Sequence, residues 1–305
     1  MISKLLRHLR AGTLPAVSKS WLHSRFNAAR WACAGYTIFP LETSASLKLY
    51  RDSRLSGLIR YGDFERDERA FAQRFLKPGD VFVDVGANIG LYSVLAAEFV
   101  GDQGRVISFE PSRRTYLRLL ENFRRNQLQN VDSVNAALSD VSGTTRLYAG
   151  GPEMDAWNSL SQSANGPAPE AEEVSTTTWD EYSGQHALDD RVTLMKIDVE
   201  GWETAVLRGA RRALGGQKAP ILQVEFCEEN ARAAGSSCSD LEGAILELGY
   251  QLYEYRAVDN SLSVVSRENR NDDCNLYAVK NLNFVLSRLG GQCANAGMSL
   301  SFSQT

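Results

Sequence analysis

Asp84-Val85-Gly86-Ala87-Asn88-Ile89-Gly90 decides the fold of this chain. Val81-Phe82-Val83 leads into it, an apolar helical segment from Leu91 to Val100 leaves it, and Glu110 closes the next apolar run, 24 positions after Gly86. A strand, a glycine turn and a helix, with an acid about one βαβ unit later, is how α/β domains hold an adenosyl group. The missing glycines narrow the ligand. A dinucleotide fingerprint needs Gly-x-Gly-x-x-Gly, because its second glycine lets the backbone approach a pyrophosphate and its third brings helix and strand together. Aligned from Gly86, those two positions hold Asn88 and Leu91. No Gly-Lys-Ser/Thr follows, which excludes a P-loop. What remains is a turn suited to a ligand without a diphosphate, preceded by an acid, Asp84. A carboxylate at Glu110 can accept both ribose hydroxyls and would repel a 2′-phosphate. The competing reading is a nicotinamide-type domain whose fingerprint has decayed.

Outward from this loop, strand and helix patterns alternate. Residues 64–76 read as a helix with Phe71, Phe75 and Leu76 on one side, stopped by Lys77-Pro78-Gly79-Asp80. Strands follow at 81–85, 105–110, 131–137, 192–198, 220–226, 249–255 and 274–280. Helices fall at about 90–99, 113–126, 202–213 and 239–248. Such alternation implies an α/β fold, a mainly parallel sheet with helices on both faces. Residues 150–172 break the rhythm with Gly150, Gly151, Pro152, Gly166, Pro167 and Pro169. They read as an insertion loop, flanked by short strands at 144–149 and 173–178. The chain divides into a basic helical extension (1–45), a helical lead-in (46–78), the main domain (79–280) and a polar tail (281–305).

A second constellation is Lys196-Ile197-Asp198-Val199-Glu200-Gly201-Trp202-Glu203. The strand before it delivers Asp198 to its carboxyl end, and the strand Pro220-Ile221-Leu222-Gln223-Val224 delivers Glu225 likewise. Asp84, Glu110, Asp198 and Glu225 then share one edge of the sheet, where open α/β folds bind ligands. Four acids collected there by chance would be costly without partners. For Glu200 and Glu203 a plainer account exists, since acids in a helix's first turn complement its dipole.

Composition bounds the class. An apolar fraction of 43% and a charged fraction of 23% are ordinary for a globular protein, so neither disorder nor a disulfide scaffold fits. The net charge of −4 hides an asymmetry. Residues 1–41 carry six basic residues and no acid, leaving 27 basic and 37 acidic residues in the remainder. An acidic body disfavours nucleic-acid binding, which relies on neutralising phosphates. The basic head, helical with a break at Pro15, reads as a lid on the domain or as a peripheral contact with a membrane or protein. Five scattered cysteines without Cys-x-x-Cys spacing fit reduced thiols. With no secretory signal and no spanning apolar stretch, the expected location is the cytoplasm.

Four ordered blocks carry a resemblance to a known family. Asp84 to Gly90, then Phe109-Glu110-Pro111, then Asn135-Ala136-Ala137-Leu138-Ser139-Asp140, then Lys196 to Glu203 resemble the FkbM family of S-adenosylmethionine-dependent methyltransferases. The likeness runs from about Gly62 to Lys280, and Thr176-Thr177-Thr178-Trp179-Asp180 resembles the family's Thr-Leu-Asp block with Trp in place of Leu. It implies a class I methyltransferase sheet, Rossmann-like, of seven main strands with the last antiparallel. Carried over residue by residue, it places Asp84, Gly86, Asn88 and Gly90 around the methionine portion of S-adenosylmethionine and Glu110 on the ribose. The loop from Ala136 to Asp140, with Ala137 and Asp140 its named contacts, would edge the adenine.

The implied reaction is methyl transfer to a hydroxyl, which needs alignment and removal of a proton. Asp198 is the first candidate base and Glu225 the second, with Lys196 as an orienting charge. Asp198 and Glu225 also suit magnesium, because oxygen ligands on neighbouring strands fit a hard cation. Of the three histidines, His8, His23 and His186, none ends a predicted strand. Trp157, Trp179 and Trp202 fall in segments expected to cover the acceptor side; sugar stacking and core packing both account for them. Family members often modify sugar or polyketide hydroxyls, so a glycan, glycolipid or small-molecule hydroxyl leads. A nicotinamide oxidoreductase and a non-catalytic docking module are the alternatives.

Overall fold

The run Val81–Val85 is buried along its whole length, as a parallel strand covered on both faces must be. Its side-chain period of two divides it between two cores. Val81, Val83 and Val85 join Met195, Val206, Leu222 and Ile245 on one face. Phe82 joins Phe71, Phe75, Leu95 and Tyr277 on the other.

The computed structural model describes residues 30–61, 64–148, 171–265 and 273–290. A short π-helical turn (Arg30–Ala34) precedes β1 (Tyr36–Pro40), β2 (Ser46–Tyr50), α1 (Arg54–Tyr61) and α2 (Arg66–Phe75). Then come β3 (Val81–Val85), α3 (Leu91–Val100), β4 (Arg105–Phe109), α4 (Arg113–Arg125), β5 (Val131–Val134), β6 (Ala137–Leu138), β7 (Gly143–Tyr148) and β8 (Ala171–Thr177). The chain continues through α5 (Trp179–Gln185), β9 (Leu194–Ile197), α6 (Glu203–Arg208), α7 (Arg211–Gly215), β10 (Ile221–Cys227), α8 (Glu228–Ala233) and α9 (Cys238–Glu247). It ends with β11 (Gln251–Arg256), β12 (Ser261–Val264), β13 (Asp273–Val279) and α10 (Leu282–Leu289).

The main sheet has eight strands in the order β12-β11-β13-β10-β9-β3-β4-β5. From β10 to β5 all neighbours are parallel, and β13 enters antiparallel between β10 and β11. This is the expected α/β sheet of seven main strands with its last strand reversed. The eighth, β12, pairs antiparallel with β11 at the edge. The sequence pattern gives no strand there because only Ser261 and Leu262 of β12 are buried, too few for an alternating pattern.

Four other expectations change. The stretch 36–50, assigned to a helical extension and lead-in, forms the hairpin β1–β2. Its backbone is held by side chains of α4: Lys48 N–H donates to Asn122 Oδ1 at 2.7 Å and Ser46 N–H to Asn126 Oδ1 at 2.9 Å. The strand expected at 131–137 stops at Val134, because Asn135 Nδ2 donates to the carbonyls of Glu110 and Pro111 at 2.9 and 2.8 Å. Beyond it, β6 joins a small second sheet of order β6-β8-β7. The helix expected at 202–213 divides into α6 and α7 at Gly209, where a Cβ would lie 1.9 Å from the Ser139 carbonyl oxygen. The tail begins as a helix, α10, with Val285 and Leu289 buried.

Residues 1–29 of the basic head, where two helices are expected, and the insertion from residue 149 to 170, with Trp157, His8, His23 and Cys293, lie outside the described residues. No described helix is long and apolar enough to cross a membrane.

Candidate functional site

The carboxyl ends of β3, β4, β9 and β10 open into one cavity of about 380 Å³, within the size range of small-molecule sites. Asp84, Glu110, Asp198 and Glu225 all line it. Parallel register sets Asp84 of β3 beside Lys196 of β9, and Lys196 beside Gln223 of β10.

One end of the cavity is built by the turn after β3. Gly86, Asn88 and Gly90 have φ of 83°, 50° and 91°, a left-handed backbone that glycine and asparagine tolerate best. A Cβ on Gly86 would lie 1.9 Å from the backbone oxygen of Asp198, so the loop meets the end of β9 only because position 86 has no side chain. The N–H groups of Gly86 and Ala87 donate to the Phe109 carbonyl at 3.1 and 2.9 Å. Asn88 N–H donates to Glu110 Oε2 at 3.0 Å, and Ser112 N–H to Oε1 at 2.9 Å. The Glu110 carboxylate is thereby fixed by backbone donors on both oxygens. Phe109, Ala136, Ala137, Leu138 and Leu147 form the apolar wall beside it. A fixed carboxylate, an apolar wall and a turn bent by glycines are the parts an adenosyl group needs.

Two sequence-predicted contacts do not reach this cavity. Gly90 lies behind it, and a Cβ there would meet Leu119 Cδ1 at 2.6 Å, so Gly90 lets α4 lie on the start of α3. Asp140 is exposed, accepts from Ser139 Oγ at 3.1 Å, and is not among the lining residues. Its neighbour Ser139 instead receives the indole N–H of Trp202 at 3.1 Å. Trp202 lines the cavity, whereas Trp179 is core, stacked with Tyr182 and edge-on to Phe109. His186 is exposed, stacks on Tyr182 with 4.1 Å between ring centres, and takes no part in the lining.

The opposite end is acidic. Lys196 is buried, lies 4.9 Å from the centre of the Tyr92 ring, and holds Asp198 Oδ2 at 2.5 Å. Burial opposes its charge, but Asp198, Glu65 and Asp84 outweigh that penalty and raise its pKa. Asp84 accepts from Ser93 Oγ at 2.5 Å; burial raises its pKa and the Lys196 charge works against the rise. Burial, with the Asp198 charge added, pushes Glu200 up to about 9 and Glu225 up to about 11. Glu203 is pushed to about 7 by burial, although its carboxylate accepts the N–H groups of Val199 and Gly201 at 3.0 and 3.1 Å. It ties the turn together and does not line the cavity.

Glu200, Glu65 and Tyr92 are among the lining residues missed in the sequence. Glu200 read as a dipole-complementing acid, but its φ of 54° and that of Gly201, 98°, turn the chain sharply there. Asn230 Nδ2 donates to Glu200 Oε2 at 2.5 Å, and the carboxylates of Asp198, Glu200 and Glu225 each place an oxygen within 4.8 Å of the other two. The Glu-Gly pair within the motif was the available signal. Glu65 precedes α2 and carried none. Tyr92 looked like one more apolar-face residue of α3, yet its ring lies beside Lys196.

Comparison with known proteins bears on this geometry. The family model described as the methyltransferase FkbM domain matches residues 84–252, more than half of the chain. No curated protein matches. Among solved structures, an S-adenosylmethionine-dependent O-methyltransferase from Thermotoga maritima is 15% identical, with 70% of this chain and 64% of that one covered and a TM-score of 0.41. Precorrin-6y C5,15-methyltransferase from Geobacter metallireducens is 12% identical, with 71% and 88% covered and a TM-score of 0.40. Aeropyrum pernix fibrillarin, solved with natively bound S-adenosyl-L-methionine, is 14% identical, with 80% and 94% covered and a TM-score of 0.38.

Proposed function

Because this chain belongs to the FkbM methyltransferase family, we propose that it is an O-methyltransferase whose acceptor is a hydroxyl of a carbohydrate, glycolipid or small molecule. The observation that carries the reading is the meeting of a backbone-fixed Glu110 and a lysine-paired Asp198 in one cavity. S-adenosylmethionine, when bound, supplies a methyl group activated by a positively charged sulfur. Asp84, Gly86 and Asn88 would hold its methionine portion, Glu110 its ribose, and Ala137 with its apolar neighbours its adenine. Gly90 would act from behind, by seating α3 and α4.

Removal of the acceptor's proton falls to Asp198. Its Oδ2 is held by Lys196 Nζ at 2.5 Å, which fixes the direction of the carboxylate. Glu225, pushed up to about 11, already carries a proton at neutral pH and so has no free carboxylate to take the acceptor's. Trp202, with its indole N–H tied to Ser139, offers a fixed aromatic edge against which an acceptor can be aligned.

Calorimetry with S-adenosylhomocysteine and NAD in parallel tests the donor: binding of NAD alone would sink the reading. A screen of acceptors with radiolabelled donor tests the hydroxyl. Asp198→Asn should lower turnover by at least ~100-fold, the usual scale of a general base, and leave S-adenosylhomocysteine affinity within a few-fold of wild type. Unchanged turnover removes Asp198 from that role.

A further inference from the structure

The cavity has a third side that neither the glycine turn nor the acids account for. Leu55 and Leu58 of α1, Phe64, and Leu91 at the start of α3 line it with apolar surface, and Leu58 is still 42% exposed there. Phe64 directly precedes Glu65, a carboxyl near enough to support the charge on Lys196. This apolar side therefore begins beside the acid end. Phe64 and Leu91 also line a second cavity of about 170 Å³, together with Phe39, Pro40 and Leu41 from the end of β1 and Ile59 from α1.

The chemistry of the second cavity is one-sided. Leu41, Ile59 and Leu91 belong to the buried core, and Phe39 and Phe64 pack against it while only half-buried. Its charged lining residues, Glu42 and Arg69, are already joined at 2.9 Å, and Arg69 Nε also donates to the Phe64 carbonyl at 2.9 Å. Leu41 N–H donates to the Ala45 carbonyl at 3.0 Å, and Pro40 has no N–H to give. A polar ligand would have to compete for these groups. An apolar cavity of about 150 Å³ walled by Leu, Ile and Phe instead stays dry and takes a hydrocarbon the size of benzene. Half-buried aromatic walls gain further by being covered from water.

We propose that the second cavity receives an alkyl chain of the acceptor, about six carbons of it, while the hydroxyl that takes the methyl group lies at Asp198. The acceptor is then an amphiphile, a hydroxyl-bearing polar head joined to hydrocarbon. Phe64 and Leu91, shared by the two cavities, are the wall along which the chain passes from one to the other. That continuity selects this occupant. A partner protein would need a broad face, and a volume of about 170 Å³ admits only a chain or a small ring. The proposal narrows the acceptor of the methyltransferase reading and rests on that reading for the reacting hydroxyl alone; the chain site stands on the second cavity.

The test is calorimetric titration of the full chain, alone and with S-adenosylhomocysteine, using n-alkyl β-D-glucosides from methyl to octyl, each below its micelle concentration. Affinity should rise about fourfold per methylene, the effect of burying one CH₂ at ~0.8 kcal/mol, and level off once the cavity is full. A negative heat-capacity change should grow with chain length. Leu41→Trp, which fills the cavity, and Phe39→Glu, which places a charge in it, should each weaken octyl glucoside at least about tenfold, the loss of roughly two buried methylenes. Both should keep S-adenosylhomocysteine affinity within a few-fold of wild type. Leu246→Ser, at an exposed position of α9 that lines neither cavity, should bind octyl glucoside as wild type does. No octyl glucoside binding, equal affinity across the series, or wild-type affinity in both cavity variants overturns the chain site. A chain-length series without S-adenosylhomocysteine binding leaves the chain site standing and removes the methyltransferase reading; S-adenosylhomocysteine binding without the series does the reverse. Should one variant lose its cooperative melt, the wild-type series and the other variant still decide.

Discussion

Glu65 has a φ of 48°, in a region that costs a residue with a Cβ roughly 1–2 kcal/mol. Burial, with the charge of Asp198 added and that of Lys196 opposing, pushes its pKa up to about 7. The sign of the linkage follows. An acid whose folded pKa lies above its unfolded value binds more protons when folded, so stability falls as pH rises from about 4.5 to about 7. Glu65→Gln should therefore melt close to wild type at pH 4.5 and a few degrees above it at pH 8, as read by calorimetry on the ligand-free protein. A constant difference across that range would show that Glu65 is ionised in the fold. At this scale, legibility tracked position on a strand. Asp84, Glu110, Asp198 and Glu225 could be placed because each ends or nearly ends a strand, and parallel strands end together. Glu65 and Tyr92 reach the cavity only through the way α2 and α3 lie on the sheet, which no local pattern encodes.

At the scale of elements, α10 shows how a tail is fastened. Arg288 forms a two-pronged pair with Asp80, at 2.9 Å from Nη2 to Oδ1 and closer through Nη1, and also donates to the Phe75 carbonyl at 3.2 Å. Asp80 keeps Lys77 N–H and Thr193 Oγ1 as other partners, so losing the arginine does not strand it. Arg288→Ala should cost about 2–3 kcal/mol in urea denaturation, the lower side of a broken buried pair. Because α10 contributes nothing to the cavity lining, S-adenosylhomocysteine affinity should not change. A loss of affinity would mean that α10 supports the site after all. The β strands of the parallel sheet were readable as short apolar runs, since both of their faces are covered. The hairpin β1–β2 was not, because two asparagines on α4, some 75 residues away, complete its hydrogen bonding. Helix α10 was hidden by a surrounding run rich in serine and glycine.

Across the whole molecule, one lysine balances the centre of the sheet. Lys196 is 3% exposed and sits between Asp84 and Asp198, with Glu65 above. Its raised pKa keeps it charged from pH 5 to pH 8, so its own titration adds no slope in that window. Lys196→Met leaves those carboxyls without a counter-charge and should destabilise the protein by about 3–5 kcal/mol at pH 8. The deficit should shrink at pH 5, where the carboxyls take up protons in the fold at less cost. Urea curves at the two pH values measure it, and an equal deficit at both would exclude this balance. The class of fold and the Asp84–Glu110 end of the cavity were legible in the sequence because both follow from strand-loop-helix order. The rest of the lining was less so, since it comes from α1, the sharp turn at Glu200 and the strands β7 and β13.

That unequal assembly has a consequence for how such a chain can change over generations. The Glu110 carboxylate and the turn from Gly86 to Asn88 are locked to each other by main-chain donors, so substitutions elsewhere scarcely touch them. Arg54, Leu55 and Leu58 on α1, Leu147 on β7 and Asp273 on β13 line the same cavity from peripheral elements. Selection can rewrite those peripheral side chains one at a time and reshape the cavity there, while the main-chain-locked turn and Glu110 are inherited intact.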